Sequence, residues 1–159
     1  MLSYQQALDV ILSLPLELSS DVVALGEAHN RVLATPIKAQ SDMPRFDHAT
    51  MDGFAARAGD LAAATVAKPV ALAIAGESAA GHPFVEPLRE GECIRISTGA
   101  IVPRGAEAVV PIENVMVMGE GVSFTTPVKA GAAILKRGTN ISAGATVLER
   151  GAILSSQAI

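Results

Sequence analysis

The sequence is poor in aromatic residues and in cysteine, and each shortage excludes something. Aromatic residues make up 3% of the 159-residue chain, and tryptophan is absent. The hydrophobic cores must therefore be filled by Ala, Val, Ile and Leu, which predicts thin, closely apposed sheets. A single cysteine, Cys93, excludes an internal disulfide and a thiolate metal cage. Because it lies in the apolar run ECIRI, we expect an inert thiol in the core.

Charged residues are also scarce, at 18%, and the formal net charge is -4. The twelve Lys and Arg residues are scattered, with one adjacent pair at Lys136 and Arg137, so we predict no basic face of the kind that nucleic-acid-binding modules need. The longest weakly charged run, LAAATVAKPVALAIA, contains Lys68 and Pro69 and is too broken for a membrane span. The N-terminus lacks the basic flank of a targeting peptide. These features predict a cytoplasmic protein that binds neither nucleic acid nor membranes.

The sequence does contain one strong helix pattern, followed by many short β-type segments. Residues 3–14 predict a helix, because Ser3 and Gln6 form a capping-box pattern and apolar residues recur at helical spacing. A second short helix is predicted over residues 25–34. From residue 37, Gly and Pro recur about every eight to twelve residues, the spacing of short strands joined by turns. The predicted strands are DGFAAR, PVALAIAG, ECIRIST, EAVVPIEN, GVSFTTP, AAILKR and ATVLER.

The last thirty residues contain an internal repeat and a helix-start signal. AGAAILKRGTNIS (130–142) aligns with AGATVLERGAILS (143–155) without a gap, which predicts two similar strand–turn units in one small sheet. Leu154 and Ser155 have the pattern of a residue before a helix cap and of the cap itself. Because barely one turn of chain follows them, we expect this chain to be a fragment of a longer protein.

The stretch RFDHATMDGFA (45–55) places two carboxylates and a histidine close together in the sequence. A metal site, a catalytic site and a solvated edge are all possible interpretations. Asp47 and Asp52 are five positions apart, so on an extended chain they point to opposite faces and do not ligate one ion. This geometry disfavours a free-standing cation-dependent hydrolase built on Asp47, His48 and Asp52. Asp52 before Gly53 is also a turn pattern, with the carboxylate on its own backbone.

A second polar stretch, RISTGAIVPRGAEAVVPIEN (95–114), has hydroxyl residues at the end of a predicted strand. Ser97 and Thr98 precede Gly99, and such a turn can present backbone N–H and hydroxyl donors to an oxyanion. Tight hairpin turns also use Ser, Thr and Gly for backbone reasons alone. The residues by themselves leave both interpretations open.

Three motifs, in this order, resemble the N-terminal half of the molybdopterin molybdenumtransferase family, to which the E region of gephyrin belongs. The motifs are MPRFDHATMDGFAAR, CIRISTGAIVPRGAEAVVPIEN and KRGTNISAGATVLERGAILSSQ. The resemblance implies an α+β, mostly β fold in three parts. These parts are an N-terminal helix (1–20), a small discontinuous linker domain (21–45 and 138–159), and an inserted β-rich domain of short strands (46–137).

The resemblance also implies a reaction and a set of site residues. The family inserts molybdate into adenylylated molybdopterin, releases AMP, uses a divalent cation, usually Mg²⁺, and is homodimeric. The resemblance implies catalytic roles for Asp52 and Thr98. It also implies substrate contacts for Gly53, Ser97 and Gly99, and a metal contact for Asp52. A carboxylate that faces molybdate directly would repel it, so an intervening cation or protonated group is expected.

This sequence departs from the family pattern at several positions. His48, Ala49 and Thr50 replace a usual Asn-Ser-Ala, and Thr139 and Asn140 stand where an acidic pair is common. Nothing after Ile159 supplies the domain that holds most of the pterin site, so the fragment is expected to be inactive alone. The alternative hypothesis is a non-catalytic dimerisation or scaffold module, in which Asp52 and Thr98 serve turn geometry only.

Overall fold

The computed structural model describes residues 2–15 and 19–159, and it confirms the predicted α+β, mostly β class. In these residues one α-helix, α1 (Tyr4–Leu12), precedes ten short strands. The strands are β1 (Ile37–Lys38), β2 (His48–Ala49), β3 (Gly53–Ala56), β4 (Val70–Ser78), β5 (Glu92–Ile96), β6 (Ala108–Pro111), β7 (Val115–Met118), β8 (Gly121–Phe124), β9 (Ile134–Leu135) and β10 (Thr146–Leu148). Two 3-10 turns cover Leu25–Glu27 and Ile112–Asn114. Among the described residues, neither α1 nor any other helix has the length and hydrophobicity that crossing a bilayer requires.

The helix α1 begins as its sequence predicts. Ser3 is the N-cap: its hydroxyl accepts from the Gln6 N–H at 3.2 Å, and the Gln6 side chain accepts from the Ser3 N–H at 2.9 Å. This reciprocal pair satisfies two of the backbone donors that a helix start leaves open. None of the residues of α1 is buried, and Tyr4 is 82% exposed. The apolar face of α1 is therefore largely exposed, with Ala7 and Leu8 half-buried.

The prediction of a second helix over residues 25–34 is wrong. Only Leu25–Glu27 form a 3-10 turn, and Asn30 then takes a left-handed conformation with φ of 62°. Beyond it, the Leu33 N–H donates to Ala152 O at 2.9 Å, and the Leu154 N–H donates to Arg31 O at 2.9 Å. The backbone groups of this segment are satisfied by a partner far along the chain, and this tertiary pairing overrides the local helical pattern.

The chain divides into two compact units, one of which is discontinuous. One unit comprises residues 1–37 and 146–159, and the other comprises residues 38–145. The three-part division predicted from the sequence, with 1–20 as a segment of its own, stays a prediction.

A mixed six-stranded sheet forms the centre of the 38–145 unit. Its strand order is β6-β3-β5-β4-β8-β7, and only the β4–β5 pair is parallel. Because β3 and β5 are antiparallel, with Gly53 opposite Ile96, the start of β3 and the end of β5 lie at the same edge of the sheet. Residues that precede β3 and residues that follow β5 are therefore brought together.

Both faces of this sheet are covered by apolar side chains. Consecutive residues alternate between the faces, so that Phe54 and Ala55 belong to different clusters. One cluster contains Phe54, Ala56, Leu61, Leu72, Cys93, Val110, Val122 and Phe124, and the other contains Ala49, Ala55, Leu88, Ile94, Ile96, Ala100 and Val109. Aliphatic residues dominate, as predicted. Cys93 is fully buried, and desolvation raises the pKa of its thiol to about 12, so it stays protonated and inert.

The internal repeat is visible in the backbone. The first glycine of each unit, Gly131 and Gly144, has a positive φ, and so does the second, Gly138 and Gly151. Each second glycine donates its N–H to a segment far upstream, Gly138 to Pro44 O and Gly151 to Leu33 O. The prediction of one common sheet is wrong, because β9 pairs with β2 and not with the strand of the second unit. Each repeat strand finds a different upstream partner.

Candidate functional site

Asp52 and Thr98, 46 residues apart in the sequence, are hydrogen-bonded to each other in the structure. The Thr98 N–H donates to Asp52 Oδ1 at 2.6 Å, and the Thr98 hydroxyl donates to the same oxygen at 2.8 Å. Asp52 lies immediately before β3 and Thr98 two residues after β5, so the antiparallel β3–β5 pairing places them side by side. Both residues are exposed. The structure therefore joins the two predicted catalytic residues at one surface.

The local interpretation of Asp52 as a turn residue is wrong. Its carboxylate accepts from Thr98 and not from its own neighbouring backbone. Both hydrogen bonds fall on Oδ1, and within residues 2–15 and 19–159 no donor occupies Oδ2. The two Thr98 hydrogen bonds, the backbone one first, lower the pKa of Asp52, and the positive charge of Arg95 lowers it further. Asp52 is thus an ionised, exposed carboxylate with one oxygen available.

The turn that carries Thr98 begins at Ser97 and is closed by Ala100. The Ala100 N–H donates to Ser97 O at 3.0 Å, and Gly99 at the third position has a φ of 80°. A type II turn requires this conformation there, and glycine adopts it without strain. No atom lies within 4 Å of the position that a Gly99 side chain would take. The half-buried Ser97 donates its N–H to Ser78 O at 3.1 Å.

Gly53 has a packing reason for being glycine. A side chain there would meet the backbone oxygen of Val110 at 2.0 Å and its carbonyl carbon at 2.9 Å. The residue is buried between β5 and β6, where its backbone pairs with Ile96 and Pro111. The close approach at Gly53 is therefore to the neighbouring strand β6. A substrate contact for Gly53 stays a prediction from the resemblance, as it does for Ser97 and Gly99.

A second group of charged residues, the ion-paired cluster, consists of Asp42, Asp47, Lys136 and Arg137. Asp47 Oδ2 lies 2.8 Å from Lys136 Nζ, and Asp47 Oδ1 accepts from the Arg137 N–H at 2.8 Å. Asp42 pairs with Arg137 Nε at 2.6 Å and accepts from the Ala143 N–H at 2.8 Å. The pKa of Asp47 is lowered first by Lys136, and that of Asp42 first by the Ala143 N–H. Each carboxylate has a basic partner.

The ion-paired cluster contains residues that the sequence alone did not identify. Asp42 and Arg137 are 95 residues apart, and neither pattern nor spacing links them. Asp47 was considered together with His48 and Asp52 as a cation site, but its two oxygens are occupied by residues 136 and 137. In the described residues, no group of three or more His, Cys, Asp or Glu side chains is arranged to hold a metal ion. The structure therefore does not support the hydrolase hypothesis.

Arg95 is a further charged residue that sequence reasoning missed. It is exposed on β5, two positions before Ser97, and its charge acts on Asp52. The signal was present in the motif RISTGA, where the basic residue directly precedes the strand end. Arg95 offers a basic group to an anion that approaches the Asp52 side of the turn.

Comparison with known proteins identifies relatives over nearly the whole chain. Residues 2–159 match the family described as the MoeA N-terminal region (domain I and II). A molybdopterin molybdenumtransferase from Synechococcus elongatus is 34% identical over 143 residues, 88% of this chain and 36% of that protein. One from Haemophilus influenzae is 36% identical over 143 residues, 89% of this chain and 34% of that protein. The chain spans about a third of the length of these curated relatives.

Solved structures show the same fold. A crystal structure of the molybdopterin biosynthesis moeA protein from Pyrococcus horikoshii superposes with a TM-score of 0.87 at 32% identity, covering 97% of this chain and 39% of that one. A second structure of a moeA protein from Pyrococcus horikoshii gives a TM-score of 0.80 at 38% identity, covering 85% of this chain and 36% of that one.

Proposed function

Since this chain belongs to the family of the MoeA N-terminal region, we propose that it is the N-terminal part of a molybdopterin molybdenumtransferase. In this proposal the whole enzyme inserts molybdate into adenylylated molybdopterin, forms molybdenum cofactor and releases AMP. The observation that carries the proposal is the exposed Asp52–Thr98 pair, which joins two distant family motifs at one surface. The homodimer belongs to the proposal through the family resemblance, and the cytoplasmic location belongs to it through the sequence features described above.

The hydroxyl proton of Thr98 is used for a hydrogen bond to Asp52 and is therefore not free for a ligand. A hydroxyl has one proton, and the Thr98 hydroxyl gives it to Asp52 Oδ1 at 2.8 Å. Thr98 therefore holds the carboxylate in one orientation, and its own oxygen keeps lone pairs that face outward from the hydrogen bond. In this arrangement Thr98 offers an acceptor oxygen to a ligand, whereas the sequence suggested a donor to an oxyanion.

Asp52 fits one contact of a shared Mg²⁺ site. Its lowered pKa keeps it ionised near neutral pH, so Asp52 is not the protonated group that would relieve repulsion from an oxyanion. A bridging cation, together with the positive charge of Arg95, would bring molybdate or a phosphate close to it. Mg²⁺ characteristically uses one or two protein carboxylates, together with water and substrate phosphates. Asp52 Oδ2 and Thr98 Oγ1 would contribute oxygen contacts, and the substrate and the rest of the enzyme would supply the others.

Replacement of Asp52 tests the proposal. In the full-length enzyme, Asp52→Asn keeps the shape and the hydrogen-bond acceptor but removes the charge, and we expect AMP release to fall about 10²-fold. The oligomeric state should match that of the parent, and the thermal unfolding midpoint should fall slightly, because Asn accepts the Thr98 hydrogen bonds without the charge. The matched control is Asp60→Asn, which removes another carboxylate that accepts a backbone N–H, from Gly91 at 3.1 Å. Unchanged AMP release in Asp52→Asn would remove Asp52 from the mechanism.

A scaffold role is the second candidate function, and the exposed apolar side chains of α1 favour it. Its residues Tyr4, Ile11 and Leu12 are 82%, 63% and 74% exposed, which suits a surface that binds another part of the protein. If the chain only supports assembly, the double variant Asp52→Asn/Thr98→Val should bind adenylylated molybdopterin as tightly as the parent does. Isothermal titration of the full-length double variant separates the candidates, since the catalytic proposal expects weaker binding.

A further inference from the structure

We propose that Asp47 is a positioning residue for the Asp52–Thr98 pair and that it acts through the register of β2. This inference rests on the proposed function for its consequence in turnover, but its structural part can be tested without it. Asp47 lies just before β2, the strand that hydrogen-bonds to the turn carrying Thr98 and leads along the chain to Asp52. Asp47 hydrogen-bonds to neither residue of the pair. Its influence runs through the backbone of β2.

The Asp47 carboxylate fixes β2 against β9. Oδ1 accepts from the Arg137 N–H and Oδ2 pairs with Lys136, both at 2.8 Å, and these residues directly follow β9. In the paired strands, His48 faces Leu135 and Ala49 faces Ile134. With only two residues in each strand, the ladder itself specifies register weakly. A charged side chain that binds one backbone N–H and one ammonium at the end of the ladder supplies the missing specificity.

The other edge of β2 holds the turn that carries Thr98. The Ala49 N–H donates to Ala100 O at 3.0 Å, and the Gly99 N–H donates back to Ala49 O at 2.8 Å. Further along this ladder, the Val102 N–H donates to Asp47 O at 3.0 Å. The backbone groups of Asp47 and Ala49 therefore clamp the segment from Gly99 to Val102. Thr98 is the next residue beyond that clamp.

The same strand leads directly to Asp52. Asp52 follows Ala49 by three positions, and the Thr50 N–H between them donates to Ala133 O at 3.0 Å, again on the β9 side. The register of β2 thus determines the position of the turn 97–100. It also determines the position of residues 50–52, which follow the strand. A slip of one residue moves a strand by about 3.3 Å and reverses its faces. The Thr98 N–H to Asp52 distance of 2.6 Å does not survive such a shift.

Asp42 secures the partner side of this arrangement. Arg137 uses its backbone N–H for Asp47 and its side chain for Asp42, so the residue is held from both ends. Gly138, the next residue, has a φ of 73° and donates to Pro44 O at 3.0 Å. Residues 136–138 are therefore held in place by several hydrogen bonds, and Asp47 aligns β2 with them.

The test compares Asp47→Ala, Asp47→Asn and Lys136→Gln in the full-length protein, read by NMR at Thr98 and Asp52. In Asp47→Ala we expect the Thr98 amide proton to shift upfield and the Asp52 carboxyl carbon to shift as well, because the Thr98 donors move away from the carboxylate. Asp47→Asn keeps an acceptor for the Arg137 N–H but loses the pairing with Lys136, so its shift should be smaller than that of Asp47→Ala and close to that of Lys136→Gln. Turnover in Asp47→Ala should fall about tenfold, since small misplacements of a site carry large kinetic effects.

Asp60→Asn is the matched control. Asp60 also accepts one backbone N–H, from Gly91 at 3.1 Å, and lies 3.7 Å from a basic nitrogen, Arg57 Nε. Its partner Gly91 stands just before the start of β5, whereas Thr98 follows the end of β5, so about 16 Å of strand separates them. Replacement of Asp60 should leave the Thr98 and Asp52 signals unchanged. A general loss of stability would shift the Thr98 and Asp52 signals in the Asp60 variant as well. A positioning role shifts them only in the Asp47 and Lys136 variants.

Two outcomes overturn the inference, and they differ from failure of the proposed function. If Asp47→Ala folds and the Thr98 amide signal is unchanged, Asp47 does not position the pair. If Asp47→Ala does not fold, unchanged Thr98 amide signals in both Asp47→Asn and Lys136→Gln also show that Asp47 does not position it. If the Thr98 amide signal shifts but Asp52→Asn turns over normally, the positioning holds and the catalytic role fails.

Discussion

The 38–145 unit carries two groups of carboxylates that resemble each other in contacts and differ in charge. Asp52, Asp42 and Asp47 each accept one backbone N–H and one side-chain donor. For Asp42 and Asp47 the side-chain donor is a cation, so their charge is neutralised where they lie. For Asp52 it is a neutral hydroxyl. With the same number of hydrogen bonds, Asp42 and Asp47 are therefore neutralised by basic partners, whereas Asp52 keeps an unneutralised charge.

This difference separates positioning from binding. A carboxylate with a permanent cationic partner gains little from a second cation, because the first already satisfies its charge. Asp52 is held in orientation by Thr98 yet keeps its charge, with Arg95 as the contributing basic residue. Orientation without neutralisation is what a site for a transient cation requires. The comparison therefore favours ligand chemistry for Asp52 and support for the ion-paired cluster.

The largest expected effect comes from Gly53→Ala, which disturbs Asp52 without changing any charge. The new methyl group would meet Val110 O at 2.0 Å, so β3 and β6 must separate next to Asp52. We expect the free energy of unfolding to fall by about 3 kcal/mol, measured by urea denaturation. Gly59→Ala is the control, because no atom lies within 4 Å of its added carbon. Its effect should stay within about 0.5 kcal/mol.

An unchanged stability in Gly53→Ala would mean that the strands can part there freely. The packing explanation of this glycine would then be wrong, and close approach of a ligand to the backbone would become the better explanation. The two outcomes therefore decide whether Gly53 belongs to the sheet or to the binding surface.

How much of this arrangement the sequence could predict depends on the range of each signal. The capping box of Ser3 and Gln6 is a local pattern, and the structure confirms it. Residues 25–34 have an equally local helical pattern, but long-range backbone pairing beyond Asn30 overrides it. Local patterns predict well only where no distant partner competes for the same backbone groups.

The candidate site depends on contacts that no spacing rule describes. Asp52 and Thr98 were named through motifs of a known family, and their hydrogen bond follows from the β3–β5 pairing. Asp42 lies just before the first motif and Arg137 inside the third, but nothing in either motif links the two residues, and their pairing was missed. The repeat of residues 130–155 contained a usable hint, because equivalent strand–turn units need equivalent upstream partners. The repeat does not say which segments these are, and in the structure the second glycines donate to Pro44 O and Leu33 O.

A smaller effect is expected from Thr98→Val, which removes the hydroxyl but keeps the backbone N–H. A carboxyl whose pKa is lowered in the folded state adds stability above its unfolded pKa, and this is lost as the pH falls through the folded pKa. Thr98→Val raises the pKa of Asp52 toward its ordinary value, so the variant should be less stable than the parent near neutral pH. The difference should close in acid. Urea midpoints between about pH 7 and about pH 3 measure it.

Thr98→Ser is the matched control, since it retains the hydroxyl and should follow the parent at every pH. Asp42 and Asp47 also have lowered pKa values, but they titrate in both proteins and cancel in the difference. A gap between Thr98→Val and the parent that persists unchanged in acid would show that lost packing, and not the carboxylate, causes it.

The smallest expected effect, from Lys136→Gln, tests whether the two groups differ in charge as the comparison requires. Lys136 and Asp47 are 62% and 38% exposed, so solvent screens their pairing, and its loss should lower the free energy of unfolding by about 0.5 kcal/mol. Because the lost interaction is ionic, the difference from the parent should disappear at about 1 M salt, where the Debye length is about 3 Å. The Thr98→Val difference should persist there, since Thr98 carries no charge. Equal salt dependence in both variants would contradict the distinction between a neutralised cluster and an oriented, unneutralised Asp52.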